Sequence, residues 1–141
     1  MAVDQSIPTL VVGDFAVIVR IVRRLLRHLG FTEIDETNDA PAALVRMRTK
    51  RYGLVILDWH IKSMQGHDFL RHVRMDRALS STPIIIMIDK YTSEEVSVAK
   101  RAGADNYIVK PFDAPTLKAK IETIFSENAP CRHARIIGAG G

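Results

Sequence analysis

The sequence predicts a doubly wound α/β fold with a five-stranded parallel sheet and five helices. Short apolar runs rich in branched residues, TLVVG over 9–13, LVILD over 54–58 and IIIMI over 84–88, lack the period-two alternation of a half-exposed sheet, as expected of strands covered on both faces. Two weaker candidates, TEIDE over 32–36 and NYIVK over 106–110, bring the strands to five. Helical patterns fall between them. Five strand–helix alternations without an internal repeat are the order of a parallel sheet wound by right-handed crossovers.

The first helix follows from Ile18, Ile21, Val22, Leu25, Leu26 and Leu29, which recur at helical spacing while Arg20, Arg23, Arg24 and Arg27 take the other positions. Gly30 stops it. Asp39 caps a second helix carrying Ala43, Leu44 and Met47, and Gly66 opens a third carrying Phe69, Leu70 and Val73. Thr92 and Glu95 have the spacing of a capping box for a fourth, which ends near Gly103. Asp113 and Pro115 start the fifth, which runs through Leu117, Ile121, Ile124 and Phe125.

At 141 residues, 47% hydrophobic and 26% charged, the chain has the size and balance of one ordinary globular domain. No secretory signal pattern opens it, and its longest aliphatic run, over 84–88, is too short to span a bilayer. A single cysteine, Cys131, excludes an intrachain disulfide and fits a cytosolic chain. The net charge of +4 gathers at Arg20, Arg23, Arg24 and Arg27 and again at Arg46, Arg48, Lys50 and Arg51. No aromatic residues interleave with these bases, so they read as solvated helix faces rather than a nucleic-acid surface.

In open parallel sheets, sites form at the carboxyl ends of strands where the winding reverses. Asp14 follows the first strand, Asp58 ends the third, and Lys110 ends the fifth directly before Pro111. With the first and third strands as neighbours, Asp14 and Asp58 face each other and Lys110 lies close by. Two carboxylates there can hold Mg²⁺ with several waters, and the lysine offers a point charge to phosphoryl oxygens. Asp58 is then placed to be a nucleophile that becomes an aspartyl phosphate. Taken singly, such an Asp is more often a turn former or helix cap.

Together, VVGDF, LVILDW and RAGADNYIVKPF, in this order and spacing, resemble a bacterial two-component response-regulator receiver domain, most closely the single-domain chemotaxis (CheY-like) kind. The likeness spans about residues 8–126, leaving 1–7 as an N-terminal extension and 127–141 as a flexible C-terminal tail. It implies the flavodoxin-like sheet order 2-1-3-4-5. It also implies that Asp58 is the phosphoacceptor, that Asp14 and Asp58 touch Mg²⁺, and that Lys110 binds the phosphate. At His60 it implies a metal-ligating backbone carbonyl, with the imidazole an exposed loop side chain. Lys110-Pro111 matches a bond usually cis in the family, and Tyr107 matches an aromatic switch residue whose alternative role is packing at the sheet edge.

Four positions depart from the family pattern. Gly13 stands where a first acid is usual, which predicts weaker Mg²⁺ binding. Ile88 replaces the Ser or Thr whose hydroxyl donates to the phosphoryl group, and it has no donor. Asp89 replaces a small residue, and both supply of the missing acid and repulsion of an incoming phosphoryl group are open to it. Lys62 replaces a proline, which predicts a less rigid loop.

The resemblance implies a cytoplasmic, monomeric response regulator in a phosphorelay. A histidine kinase or phosphotransfer protein donates to Asp58, and output is by contact with a target protein, without DNA binding or membrane insertion. Enzymatic activity would be limited to self-phosphorylation and dephosphorylation. Gly13, Ile88 and Asp89 motivate the alternative of a pseudo-receiver that acts as a phosphorylation-independent interaction module. The tail motif CRHARII, with Arg132, His133 and Arg135, adds the weaker expectation of a cyclic-dinucleotide site. A nucleotide enzyme on the same architecture lacks its glycine-rich phosphate loop.

Overall fold

The computed structural model describes residues 3–126, so the N-terminal methionine, Ala2 and the tail, including the Arg132, His133 and Arg135 reading, lie outside the described residues. The elements alternate as β1 (Thr9–Val12), α1 (Ala16–His28), β2 (Ile34–Thr37), α2 (Ala40–Thr49), β3 (Leu54–Asp58), α3 (Gly66–Met75), β4 (Ile84–Ile88), α4 (Ser93–Ala102), β5 (Asn106–Val109) and α5 (Ala114–Phe125). All pairings are parallel, in the order β2-β1-β3-β4-β5.

Each central strand sends alternate residues into two cores. Leu10, Val12, Val55, Leu57, Ile84, Ile86 and Ile88 pack with the residues of α2, α3 and α4. Val11, Leu54, Ile56, Ile85, Met87 and Ile108 pack with those of α1 and α5. Both faces are dry, which is why the sequence shows no alternation there. The edge strands β2 and β5 are mostly half-buried, matching their weaker apolar signal.

Three helix starts follow from side-chain chemistry: Asp39, Thr92 and Asp113 accept from the backbone N–H groups of Ala42, Glu95 and Thr116. Gly30 and Gly103 turn the chain after α1 and α4 with φ of 102° and 117°, a conformation costly for any residue with a Cβ. The buried face of α1 differs from the predicted stripe. Val19, Val22 and Leu26 are buried, whereas Ile21 is 45% exposed alongside Phe15 and Val17. Because the run AVIVRIV is apolar at nearly every position, periodicity alone leaves the inward face ambiguous.

The predicted basic clusters solvate helix faces, and the second is largely ion-paired. Arg46 and Lys50 reach Asp35, Lys50 also reaches Glu33, and Arg48 reaches Asp76. Asp35 on the edge strand accepts from the buried Tyr52 hydroxyl at 2.6 Å and from Lys50 at 2.9 Å, and these two donors hold its carboxyl below the usual range. A carboxylate depressed in the folded state contributes stability that is complete above its unfolded value, about 3.9, and lost as pH falls through the folded value. Tyr52→Phe is therefore expected to cost about 1.5 kcal/mol at pH 7 and visibly less at pH 3, read from urea midpoints at the two pH values.

Candidate functional site

The strand register assembles the site. Val12 pairs with Leu57, so Gly13 falls beside Asp58 on one flank. Asp58 pairs with Met87 and Ile88 with Val109, so Asp89 and Lys110 form the next rank on the other flank. A Cβ built at Gly13 would stand 3.7 Å from the Asp58 Cβ and 3.1 Å from Val19 Cγ2.

Asp58 is 1% exposed, one of only two buried polar or charged residues among the described ones. Burial of a carboxylate requires partners. The Lys110 ammonium supplies them, 3.3 Å from Oδ1 and 3.2 Å from Oδ2, and the His60 N–H donates to Oδ1 at 3.2 Å. Lys110 also pairs with Asp89 at 3.0 Å, so one ammonium bridges two carboxylates. Burial tends to lower the Lys110 pKa, but hydrogen bonding to Asp89 and the charge of Asp58 outweigh it and leave it raised. Lys110 holds the Asp89 carboxyl below the ordinary range. The Lys110-Pro111 bond is cis, as the family pattern implies.

Asp14 is half-buried, and its Oδ2 accepts from the Lys62 N–H at 2.6 Å. Among the described residues no group of three or more His, Cys, Asp or Glu side chains is arranged around a cation position. The donors that remain on the Gly13 flank are the carboxylates of Asp14 and Asp58. Mg²⁺ accepts one or two carboxylates and completes its shell with water, so this set fits such an ion.

The loop after β3, where Lys62 stands in place of the family's proline, is tied to its surroundings by hydrogen bonds. Lys62 provides the N–H that Asp14 receives, which a proline lacks. Ser63 Oγ accepts from Ala40 N at 2.9 Å, and His60 Nε2 lies 3.2 Å from Glu95 Oε2. The His60 imidazole is exposed, as expected, yet it has a partner. Glu95 thus faces His60, where the capping-box spacing assigned it only to its own helix. These ties depend on the path of a loop, for which the sequence carries no periodic signal.

Ile88 is fully buried in the core beside α3 and α4. Tyr107 is half-buried between Tyr91, 5.8 Å between ring centroids, and the Lys120 ammonium, 4.0 Å from its ring. The edge-packing role is thus occupied in this conformation.

Residues 9–122 match the model of the response regulator receiver domain. The chain belongs to that family. This receiver is 38% identical over 122 residues to chemotaxis protein CheY-3 of Vibrio cholerae serotype O1, covering 86% of this chain and 94% of the relative. It is 39% identical over 116 residues to chemotaxis protein CheY of Pseudomonas aeruginosa, covering 82% and 94%. Among solved structures, chemotaxis response regulator CheY4 of Vibrio cholerae superposes with a TM-score of 0.78 at 28% identity, covering 84% of this receiver and 98% of that chain. The receiver is thus a CheY-like response regulator of two-component signalling with the flavodoxin-like fold. Receivers of this type generally bind Mg²⁺ at the phosphorylation site and interact with kinases and downstream targets. No helix among the described residues is long and apolar enough to cross a membrane.

Proposed function

We propose that this receiver accepts a phosphoryl group on Asp58 from a histidine kinase or histidine phosphotransfer protein and signals by protein contact in the cytoplasm. The observation that carries this reading is the Lys110 ammonium held 3.2 Å from the carboxylate of Asp58 at the end of a central strand. An Asp58 oxygen attacks the phosphorus of a phosphohistidine. The O–P bond forms as the P–N bond breaks, and the departing imidazole nitrogen takes the electron pair and a proton from solvent. Lys110 supplies a fixed positive charge to the phosphoryl oxygens, and the Asp58 carboxylate becomes an acyl phosphate that water later hydrolyses. Asp14, Asp58 and the His60 carbonyl would hold Mg²⁺, which when bound neutralises charge on the phosphoryl group. Gly13 leaves this ion one acid short.

The donor's seat is the apolar groove formed by Phe15, Ile18, Ile21 and Phe112, which runs up to Asp89 and Lys110. Incubation of the folded protein with Mg²⁺ and a small phosphodonor is expected to add one phosphoryl mass that hydroxylamine removes. An unchanged mass after prolonged exposure to excess donor, in the parent and in Asp89→Asn alike, contradicts the reading.

The burial of Ile88 favours one second reading, a pseudo-receiver whose partner binding is indifferent to phosphorylation. Under it, Asp58→Asn leaves partner binding intact.

A further inference from the structure

Asp89 lies one residue past β4 and Lys110 one past β5, and the Ile88–Val109 register sets them side by side. Their 3.0 Å contact shares with Asp58 the ammonium that the proposed transfer requires. Gly13 and Asp14 lie on the opposite flank of β3, because β1 and β4 border it on different sides. Asp89 engages Lys110 rather than the position left by the absent acid. Its carboxylate therefore stands at the flank where a transferred group's oxygens would meet Lys110, and its side chain is 67% exposed toward an arriving donor. Besides Lys110, the titratable groups facing it include His60 from the loop after β3.

A fixed anion at this point has two effects. It competes with phosphoryl oxygens for Lys110, and it repels any donor that arrives as a free anion. A protein donor seated in the adjoining apolar groove can bring its own cation against Asp89 and release Lys110. We propose that Asp89 is a specificity-determining residue that disfavours small anionic phosphodonors and favours a protein donor with a basic side chain beside its phosphohistidine. This inference rests on Asp58 being the phosphoacceptor.

The test is the rate of phosphoryl uptake from an acyl phosphate in excess Mg²⁺, followed by intact mass for the parent, Asp89→Asn and Asp89→Glu. D89N is expected to react on the order of tenfold faster than the parent, the size of one like charge at contact in a screened site. D89E, which restores the charge, is expected to stay near the parent rate. Added salt should accelerate the parent and leave D89N nearly flat. Because Asp89 is exposed, the variants are expected to keep the parent's thermal transition. Equal, measurable rates for the parent and D89N overturn the role of Asp89 alone, as does a D89E protein as fast as D89N. No uptake by either folded protein overturns the phosphoacceptor reading together with it.

Discussion

Asp58→Asn is expected to abolish phosphoryl uptake altogether while leaving the fold in place. The amide cannot serve as the nucleophile, so no acyl phosphate forms. The fold should survive because Lys110 keeps Asp89 at 3.0 Å when the charge of Asp58 is lost, and Asn retains an acceptor for the His60 N–H. Removal of one partner from a buried ion pair is usually costly, but here the remaining charge still has a counterion. Intact mass after exposure to an acyl phosphate, with the thermal transition as the control for folding, checks both halves. Stoichiometric phosphorylation of D58N would place the acceptor elsewhere.

The largest effect on stability is expected at Arg74, far from the site chemistry. Its guanidinium donates to the carbonyls of Gly103, Ser80 and Thr82 and to Asp105 Oδ2, at distances of 2.7–3.0 Å. Asp105 Oδ2 in turn accepts from the Ile84 N–H at 2.8 Å, at the start of β4. One side chain thus joins α3, the loop into β4 and the turn after α4. Arg74 and Asp105 are 12% and 17% exposed, so water does little to replace what is lost. Arg74→Met keeps most of the stem but deprives three carbonyls and a carboxylate of this donor. The expected loss is about 3–5 kcal/mol, a large share of the stability of a domain this size. Urea unfolding would show it as a lower midpoint at unchanged slope.

How much could be read from the residues varies with the kind of interaction. The central strands were legible because branched apolar runs leave few alternatives, and the helix starts because Asp39, Thr92 and Asp113 carry cap chemistry in their side chains. The convergence of Asp58 and Lys110 was legible once the strand order was assumed, since register alone brings strand ends together. The inward face of α1 was not, because AVIVRIV offers apolar residues on more than one side. The links of Lys62 to Asp14 and of Glu95 to His60 were not either, because each depends on how the loop after β3 returns to the sheet. The residues left two roles open to Asp89, and only geometry shows that its carboxylate meets Lys110 across β4 and β5, with Gly13 on the far flank of Asp58.

The departures from the family pattern bear on the output. Ile88, packed in the core at the end of β4, has no hydroxyl to draw the following loop toward a phosphoryl group. Under the proposed function, a response to phosphorylation would pass through Lys110, whose exchange of Asp89 for phosphoryl oxygens would change the charge presented beside Phe15, Ile21 and Phe112.

Asp58 and Lys110 are proposed to form a site for a phosphoryl group. Titration of the folded protein with beryllofluoride and Mg²⁺, followed by backbone amide resonances, tests it most directly. Saturable shifts are expected at Asp58, Trp59, Asp89 and Lys110, and are expected to be absent in D58N. Unmoved resonances at saturating beryllofluoride and Mg²⁺ would contradict the proposed site.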